Sequence, residues 1–546
     1  MRRAARLATG LLACALAAAP VAVRAAIVVD SSDPRCMALP GPFPPGLDWI
    51  DPAAGVALVV NSENDAVAAP VDFTRTPPAT TAPAAPPELR PAIADDACAG
   101  QRYPLLDGAH VVSPALALVT GSSCESVAFL DPATGALRHA SVSTPASLAA
   151  GVFPYLPAPG AAASAPGRVA LSTRMCVDAP PGTLDSKGAP IPYDCGRGVP
   201  SYYTSFTSGA AVAAGRLFVS TANLGAGAGT FDPQFLPGTV LVFELSEEPL
   251  AAAPHPVTPV IFTRAFNPTS VAAYTTPQGR ELVLVGASGA LGLVQDDPGT
   301  PYREAGGAAL TEAAIDVIDA EQLRLIATIP LGLAGLAFER LAIDPSGRVA
   351  LVGSAIARHV YAVDLRPLDA LAPDAPWARL DGVDGPAAAI FDAGHPLVLP
   401  GLANGAPPAT CPGYVVGVEW GASRTAYATD FCDGTITRIR VDSLAAPEVP
   451  LSRARFTVEG AIELVAPVGP QSLGKAQAPG ALRVFADGDA ERAAVIVGYP
   501  EGLACSVPVP EPASAALGAA SLLALCSLAA RRARERGHRN PKEDTR

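Results

Sequence analysis

Lysine is almost missing from this 546-residue chain: Lys187, Lys475 and Lys542 are the only three. That scarcity argues against lysine-based covalent catalysis. The six histidines are His110, His139, His255, His359, His395 and His538, and none falls in HxH, HExxH or HxxxH spacing. No CxxC pair occurs, so the zinc-ligand spacings are absent as well. The glycine-rich run Leu224–Gly229 is followed by no Lys-Ser/Thr, which excludes a phosphate cradle. Aromatic residues are only 5% of the chain, and no long amphipathic helical pattern appears between residues 27 and 500.

The apolar fraction is 49%, enough for a large core. The formal charge is −13. Residues 1–25 carry Arg2, Arg3, Arg6 and Arg24 without an acid, and residues 531–546 carry seven basic and three acidic side chains. Each end is therefore +4 and the body between them is −21. An acidic body repels nucleic acid and anionic lipid, so no nucleic-acid partner is expected.

The N-terminus reads as a signal peptide over residues 1–25. MRRAAR supplies the positive region, LATGLLACALAAAPVAV the apolar region, and Val23-Arg24-Ala25 the small residues for cleavage after Ala25. Export makes the cysteines informative. With Cys14 in the signal and Cys526 near the C-terminus set aside, eight remain: Cys36, Cys98, Cys124, Cys176, Cys195, Cys411, Cys432 and Cys505. An even number in an oxidising compartment points to disulfides, although eight cysteines permit 105 pairings. Proximity favours Cys98–Cys124, Cys176–Cys195 and Cys411–Cys432, which leaves Cys36 and Cys505 at the two ends of the body. The alternative is free thiols packed as small hydrophobes.

Short Val/Ala/Leu runs punctuated by Gly, Pro and Asp fill the body and predict an all-β fold. Several runs resemble one another: Trp49–Val67, Val112–Val142, Leu341–Leu365 and Val418–Asp442, with weaker members at Ala213–Leu245, Gly279–Gln295 and Ala481–Gly498. An Asp-Pro-x-Gly turn leads into a strand, a small polar loop follows, and a second strand ends in aspartate, as at Asp364. This grammar, clearest over Ile315–Val363, resembles the YVTN/YncE type of β-propeller repeat. The resemblance implies a β-propeller over residues 27–505, of seven blades, with six or eight as alternative counts. Seven blades use about two thirds of the body, so insertions are expected at Thr74–Pro91, Pro154–Pro200, Asp296–Gly307 and Arg366–Pro412. The ends should meet, with residues 27–60 completing the blade built mainly from 481–504 and Cys36 joined to Cys505.

Candidate chemistry is sparse. His359 is expected in a loop or at a channel rim, and His395 is a weaker candidate. The acid clusters Asp487-Gly-Asp489 and Asp430/Asp433 offer hard oxygen ligands but lack the other spaced acids of a calcium loop. Polar turns are the expected reading. Asp319, Asp364 and Asp442 are expected to fix turns, as such aspartates do in YVTN-type repeats. The residues thus predict no catalytic set, no metal and no cofactor. Some propellers related to this repeat are lactonases or quinoprotein dehydrogenases, which makes a secreted enzyme the alternative reading by fold analogy.

The C-terminus is more specific. Residues 513–530 hold 18 uncharged residues, eight Ala and five Leu among them, enough for a transmembrane helix. Five leucines at roughly −0.5 kcal/mol each give a modest drive for insertion. Arg531, Arg532, Arg534 and Arg536 then act as a cytoplasmic stop. Pro510-Glu511-Pro512, the apolar run and the arginines, over 509–536, resemble the PEP-CTERM sorting signal of Gram-negative bacteria. The hydrophilic tail 537–546 is a departure from that pattern. The resemblance implies an exosortase as processing partner and an inner-membrane-tethered precursor released near Pro510-Glu511-Pro512. It implies a destination in the cell envelope or extracellular matrix, with a protein or glycan ligand and a link to exopolysaccharide or biofilm. A permanent single-pass membrane protein is the remaining alternative.

Overall fold

The computed structural model describes residues 24–39, 46–60, 68–81, 106–121, 126–136, 170–173, 176–191, 199–223, 235–247, 250–252, 260–289, 293–294, 303–304, 312–332, 341–354, 358–380, 397–398, 415–422, 424–442, 455–465, 479–488, 490–498 and 502–509. They form seven antiparallel blades around an axis. β1 (Arg24–Val28) and β2 (Cys36–Ala38) belong to blades that the C-terminal part of the chain builds.

Blade 1 is β3 (Gly46–Asp51), β4 (Val56–Val60), β5 (Ala68–Asp72) and β6 (Ala79–Thr80). Blade 2 is β7 (Leu106–Ser113), β8 (Leu116–Gly121), β9 (Ser126–Leu130) and β10 (Ala170–Ser172). A hairpin of β11 (Cys176–Asp178) and β12 (Ser201–Tyr203) precedes blade 3. That blade is β13 (Thr207–Ala213), β14 (Arg216–Thr221) and β15 (Thr239–Glu247), edged by β16 (Leu250–Ala252) and β17 (Ile261–Phe262). Blade 4 is β18 (Pro268–Thr275) and β19 (Glu281–Ala287), then, after the hairpin β20 (Leu293–Val294) and β21 (Arg303–Glu304), β22 (Ala313–Asp319) and β23 (Arg324–Gly332). Blade 5 is β24 (Ala342–Ile343), β25 (Val349–Gly353) and β26 (His359–Asp364). The short helix α1 (Arg366–Asp369) and β27 (Ala378–Arg379), which pairs with β23 of blade 4, precede its outer strand β28 (Leu397–Val398). Blade 6 is β29 (Val415–Trp420), β30 (Thr425–Asp430), β31 (Thr435–Asp442) and β32 (Arg455–Val465), with β1 added in parallel outside β32. Blade 7 is β33 (Pro479–Asp487), β34 (Ala490–Val497) and β35 (Leu503–Pro508), completed by β2.

The short apolar runs are explained by this packing. A second strand lies inside its blade with a neighbouring blade on each face, so both sets of alternate side chains are buried. β8 and β30 are buried at every position. Alternate residues of β14 serve opposite seams: Leu217 and Val219 pack with Leu118 and Phe129 of blade 2, and Phe218 packs with Val283 and Val285 of blade 4. Each seam has such a cluster. The seventh joins Leu47, Val59 and Phe73 of blade 1 to Phe485, Ala494 and Ile496 of blade 7 and closes the ring. Truncating a fully buried side chain such as Phe218 to alanine would cost about 3–5 kcal/mol.

The turn grammar holds in three dimensions. In Asp344-Pro-Ser-Gly347 the Asp344 carboxylate accepts the N–H groups of Ser346, Arg348 and Val349 at 3.0, 2.6 and 2.6 Å. Gly347 has φ +69°, which a side chain would oppose. Asp319 accepts the N–H groups of Glu321 and Gln322, and Asp364 that of Arg366, so both fix turns. The side chain of Asp442 lies outside the described residues.

Two expectations are corrected. Residues 27–60 do not all complete the last blade. Only β2 joins it, and β3 and β4 start blade 1, because their alternate apolar residues face both blade 7 and blade 2. The stretches expected as insertions also supply blade strands: Thr74–Pro91 contains β6, Pro154–Pro200 contains β10 and Arg366–Pro412 contains β28, beside β11, β21, α1 and β27 outside the blades' own order.

Candidate functional site

Antiparallel strands alternate direction, so the two faces of the ring carry different connections. The turns between first and second strands are two to five residues long. The opposite face carries the connections 81–105, 173–206, 222–238, 288–312 and 399–414, while the third-to-fourth-strand connections 131–169 and 365–396 leave from the side of the short turns. Recognition in a rigid scaffold concentrates on such connections. This loop-bearing face also carries Cys176 and Cys432, both disulfide-bonded.

The acid cluster of blade 6 sits on that face. Asp430 Oδ1 accepts the N–H groups of Cys432 and Asp433 at 2.9 and 3.1 Å, forming the β30–β31 turn. Arg358 arrives from blade 5 and donates through Nη2 to Asp433 Oδ1 at 2.8 Å. Its Nε pairs closely with Asp433 Oδ2 and lies 3.7 Å from Asp430 Oδ2. Both carboxylates are 0% exposed, so the guanidinium is the charge that makes their burial tolerable. Asp430 and Asp433 therefore stitch two blades together. Among the described residues no group of His, Cys, Asp and Glu has the arrangement of a metal site.

A second ionic cluster lies on the innermost strands, and sequence reasoning missed it. Arg483 of β33 is 2% exposed. Its Nε is 3.4 Å from Asp48 Oδ1 of blade 1, and its Nη1 is 3.6 Å from Glu419 Oε2 of blade 6. Asp48 Oδ2 also accepts the Val111 N–H of blade 2 at 2.8 Å. Four consecutive blades, 6, 7, 1 and 2, are thus linked around the axis. The inner strands press close here: a Cβ on Gly417 would stand 2.8 Å from the Gly480 carbonyl of blade 7. The available signal was one charged residue interrupting each apolar run, in GLDWI, GVEW and ALRVF.

The remaining candidates fall elsewhere. His359 opens β26, is half-buried, and its Nδ1 is 3.3 Å from the Tyr361 hydroxyl. Burial pushes its pKa down, which favours the neutral ring. His110 lies on β7, and His139, His255, His395 and His538 lie outside the described residues. Asp487 pairs with Arg492 at 3.4 Å, while Asp489 is outside the described residues.

Cys36 and Cys505 face each other across the β2–β35 pair and are joined by a disulfide. The partners of Cys176 and Cys432, and with them Cys98, Cys124, Cys195 and Cys411, lie outside the described residues. Ala25 lies within β1. Pro510, Glu511, Pro512, residues 513–530 and Arg531, Arg532, Arg534 and Arg536 lie outside the described residues. Among those described, no helix is long and apolar enough to cross a membrane.

The chain is a seven-bladed β-propeller. No protein-family model and no curated protein matches it. Solved structures resemble it in outline. Hydrazine synthase of Kuenenia stuttgartiensis is 10% identical with a TM-score of 0.41, covering 84% of this chain and 96% of that one. The periplasmic gluconolactonase PpgL of Pseudomonas aeruginosa is 17% identical with a TM-score of 0.32, covering 59% and 76%. Sqt1 of Saccharomyces cerevisiae is 8% identical with a TM-score of 0.41, covering 87% and 98%. These likenesses concern the fold alone. Within this propeller, the two ionic clusters have their charges engaged between blades.

Proposed function

We propose that this propeller is an exported binding or scaffolding module of the cell envelope or extracellular matrix. In this reading an exosortase processes the precursor near Pro510-Glu511-Pro512 and frees it from its inner-membrane tether. The observation that carries the reading is the Cys36–Cys505 disulfide, supported by the disulfide-bonded Cys176 and Cys432. Bonds of this kind persist in oxidising compartments. A covalently closed ring suits a module that must last outside the cell, without a cytoplasm to refold it.

Binding is assigned to the loop-bearing face. Its long connections vary the surface, while the seams below hold them on a rigid base. Arg358 and Arg483 serve that base, since each neutralises carboxylates from another blade. The ligand of this face is a protein or a glycan.

Intact-mass measurement of the exported protein tests the sorting claim. In cells with a working exosortase the mass should correspond to loss of residues 1–25 and of residues 513–546. A mass that retains 513–546 in those cells refutes exosortase release and leaves a permanently anchored protein.

A further inference from the structure

The outer rim where blade 3 meets blade 4 carries a second surface, apart from the loop-bearing face. Trp377 stands there 38% exposed, whereas Trp420 is buried and Trp49 half-buried. Beyond α1 the chain doubles back over blade 4 and lays β27 parallel to β23. Side chains alternate along such a strand. Ala378 accordingly packs against the core between blades 4 and 5, and Trp377 and Arg379 turn outward.

Trp377 is fixed in place. Its indole N–H donates to Thr328 Oγ1 at 3.1 Å, and the Arg264 guanidinium lies 4.5 Å from its ring centroid. Arg264 is itself anchored, because its backbone N–H donates to Asp316 Oδ2 at 2.6 Å. Arg379 and Glu312 form a two-pronged ion pair, with side chains 42% and 37% exposed. The segment that carries the tryptophan is clamped from below. Arg280 Nη1 donates to the Leu371 carbonyl at 2.6 Å and Arg324 Nη1 to the Ala375 carbonyl at 2.9 Å.

We propose that Trp377, Arg264, Arg379 and Glu312 form a saccharide-binding platform on the outer rim. A pyranose ring has an apolar C–H face and an edge of hydroxyls that both donate and accept. The indole face opposite Arg264 matches the apolar face, and the adjacent guanidinium–carboxylate pair matches the edge. Because the side chains are already ordered, little conformational freedom is lost on binding. A protein anchor would instead be ringed by apolar residues that exclude water. Here the exposed residues are Arg264, Asp374 and Arg379, with the Glu312 side chain, interspersed with Ala372, Pro373 and Pro376. The platform gives the exported module a ligand class, and it rests on that reading only for its setting, since binding by the purified protein does not require sorting.

The test is electrophoresis of the disulfide-intact full chain through native gels containing hydroxyethylcellulose, dextran or alginate, together with tryptophan fluorescence titrations. Retardation is expected in at least one gel. Trp377→Ala should weaken it about fivefold or more, Trp377→Tyr should retain most of it, and Glu312→Ala should weaken it. Equal mobility of the native chain in all three gels and a control gel overturns the platform, as does Trp377→Ala migrating like the native chain. Self-association that needs Trp377, without any gel retardation, also overturns it and makes the patch a protein contact. If Trp377→Ala fails to fold, the Trp377→Tyr and Glu312→Ala readings decide. Failure of sorting would show in the intact mass and not in these gels.

Discussion

Removing the Cys36–Cys505 bond should loosen the ring at one known place. The two cysteines are 469 residues apart. The loop-closure relation for so long a loop gives about 20 cal/mol/K, or about 6 kcal/mol at 25 °C. Disulfides commonly deliver less, because the unfolded chain keeps other links and some structure, so a loss of about 3–6 kcal/mol is expected. Unfolding entropy is about 2.1 cal/mol/K per residue, so a body of roughly 480 residues changes by about 1 kcal/mol per degree. The Cys36→Ser/Cys505→Ser double variant should therefore melt about 3–6 °C lower under non-reducing conditions. It should still fold, because β2 keeps its pairing and the apolar seam of Leu47, Phe73, Phe485 and Ile496 is untouched. Limited proteolysis should cut it first near β2, between blades 7 and 1. Coincident melting curves for the two proteins, with no new cleavage near β2, would refute the view that this bond fastens the ring.

Two further substitutions probe buried charge. Arg358→Ala leaves Asp430 and Asp433 buried without that guanidinium and should cost about 3–5 kcal/mol, read as a lower urea midpoint; an unchanged midpoint would contradict the stitch. Burial pushes the Asp316 carboxyl up to about 6 from an ordinary 3.8. The fold thus favours its neutral form, and the stability it contributes is complete below about 4 and lost as pH climbs through about 6. The native chain should lose about 2 kcal/mol relative to Asp316→Asn between pH 4 and pH 6.5. Urea melts of both proteins across that range measure the difference, and parallel curves would count against it.

The blade core was legible in the sequence because it is local. A strand packed on both faces must be apolar at consecutive positions, and Leu116–Gly121 and Thr425–Asp430 show it. Asp344-Pro-Ser-Gly347 carries its turn within four residues. Blade membership was harder, since Gly46–Val60 has the same strand-turn-strand pattern whichever neighbour it joins. The ionic clusters were illegible for a related reason. Arg483 and Asp48 are 435 residues apart, and Arg358 and Asp433 are 75 apart. No spacing rule connects them, because only closure of the ring brings them together. Trp377 was hidden inside Arg366–Pro412, where a two-residue strand leaves no periodic signal.

If the chain is exported as proposed, the place of β2 in the last blade sets an order of events. Its partner β35 lies more than 460 residues downstream, so β2 waits unpaired until almost the whole body has followed. A chain interrupted before Leu503 leaves β2 without its sheet and Cys36 without the sulfur it faces. Such a fragment displays an open sheet edge and a reactive thiol, both marks that proteases and thiol-handling enzymes act on. In the exported module proposed above, the closing strand thus doubles as a check that translocation has run to completion.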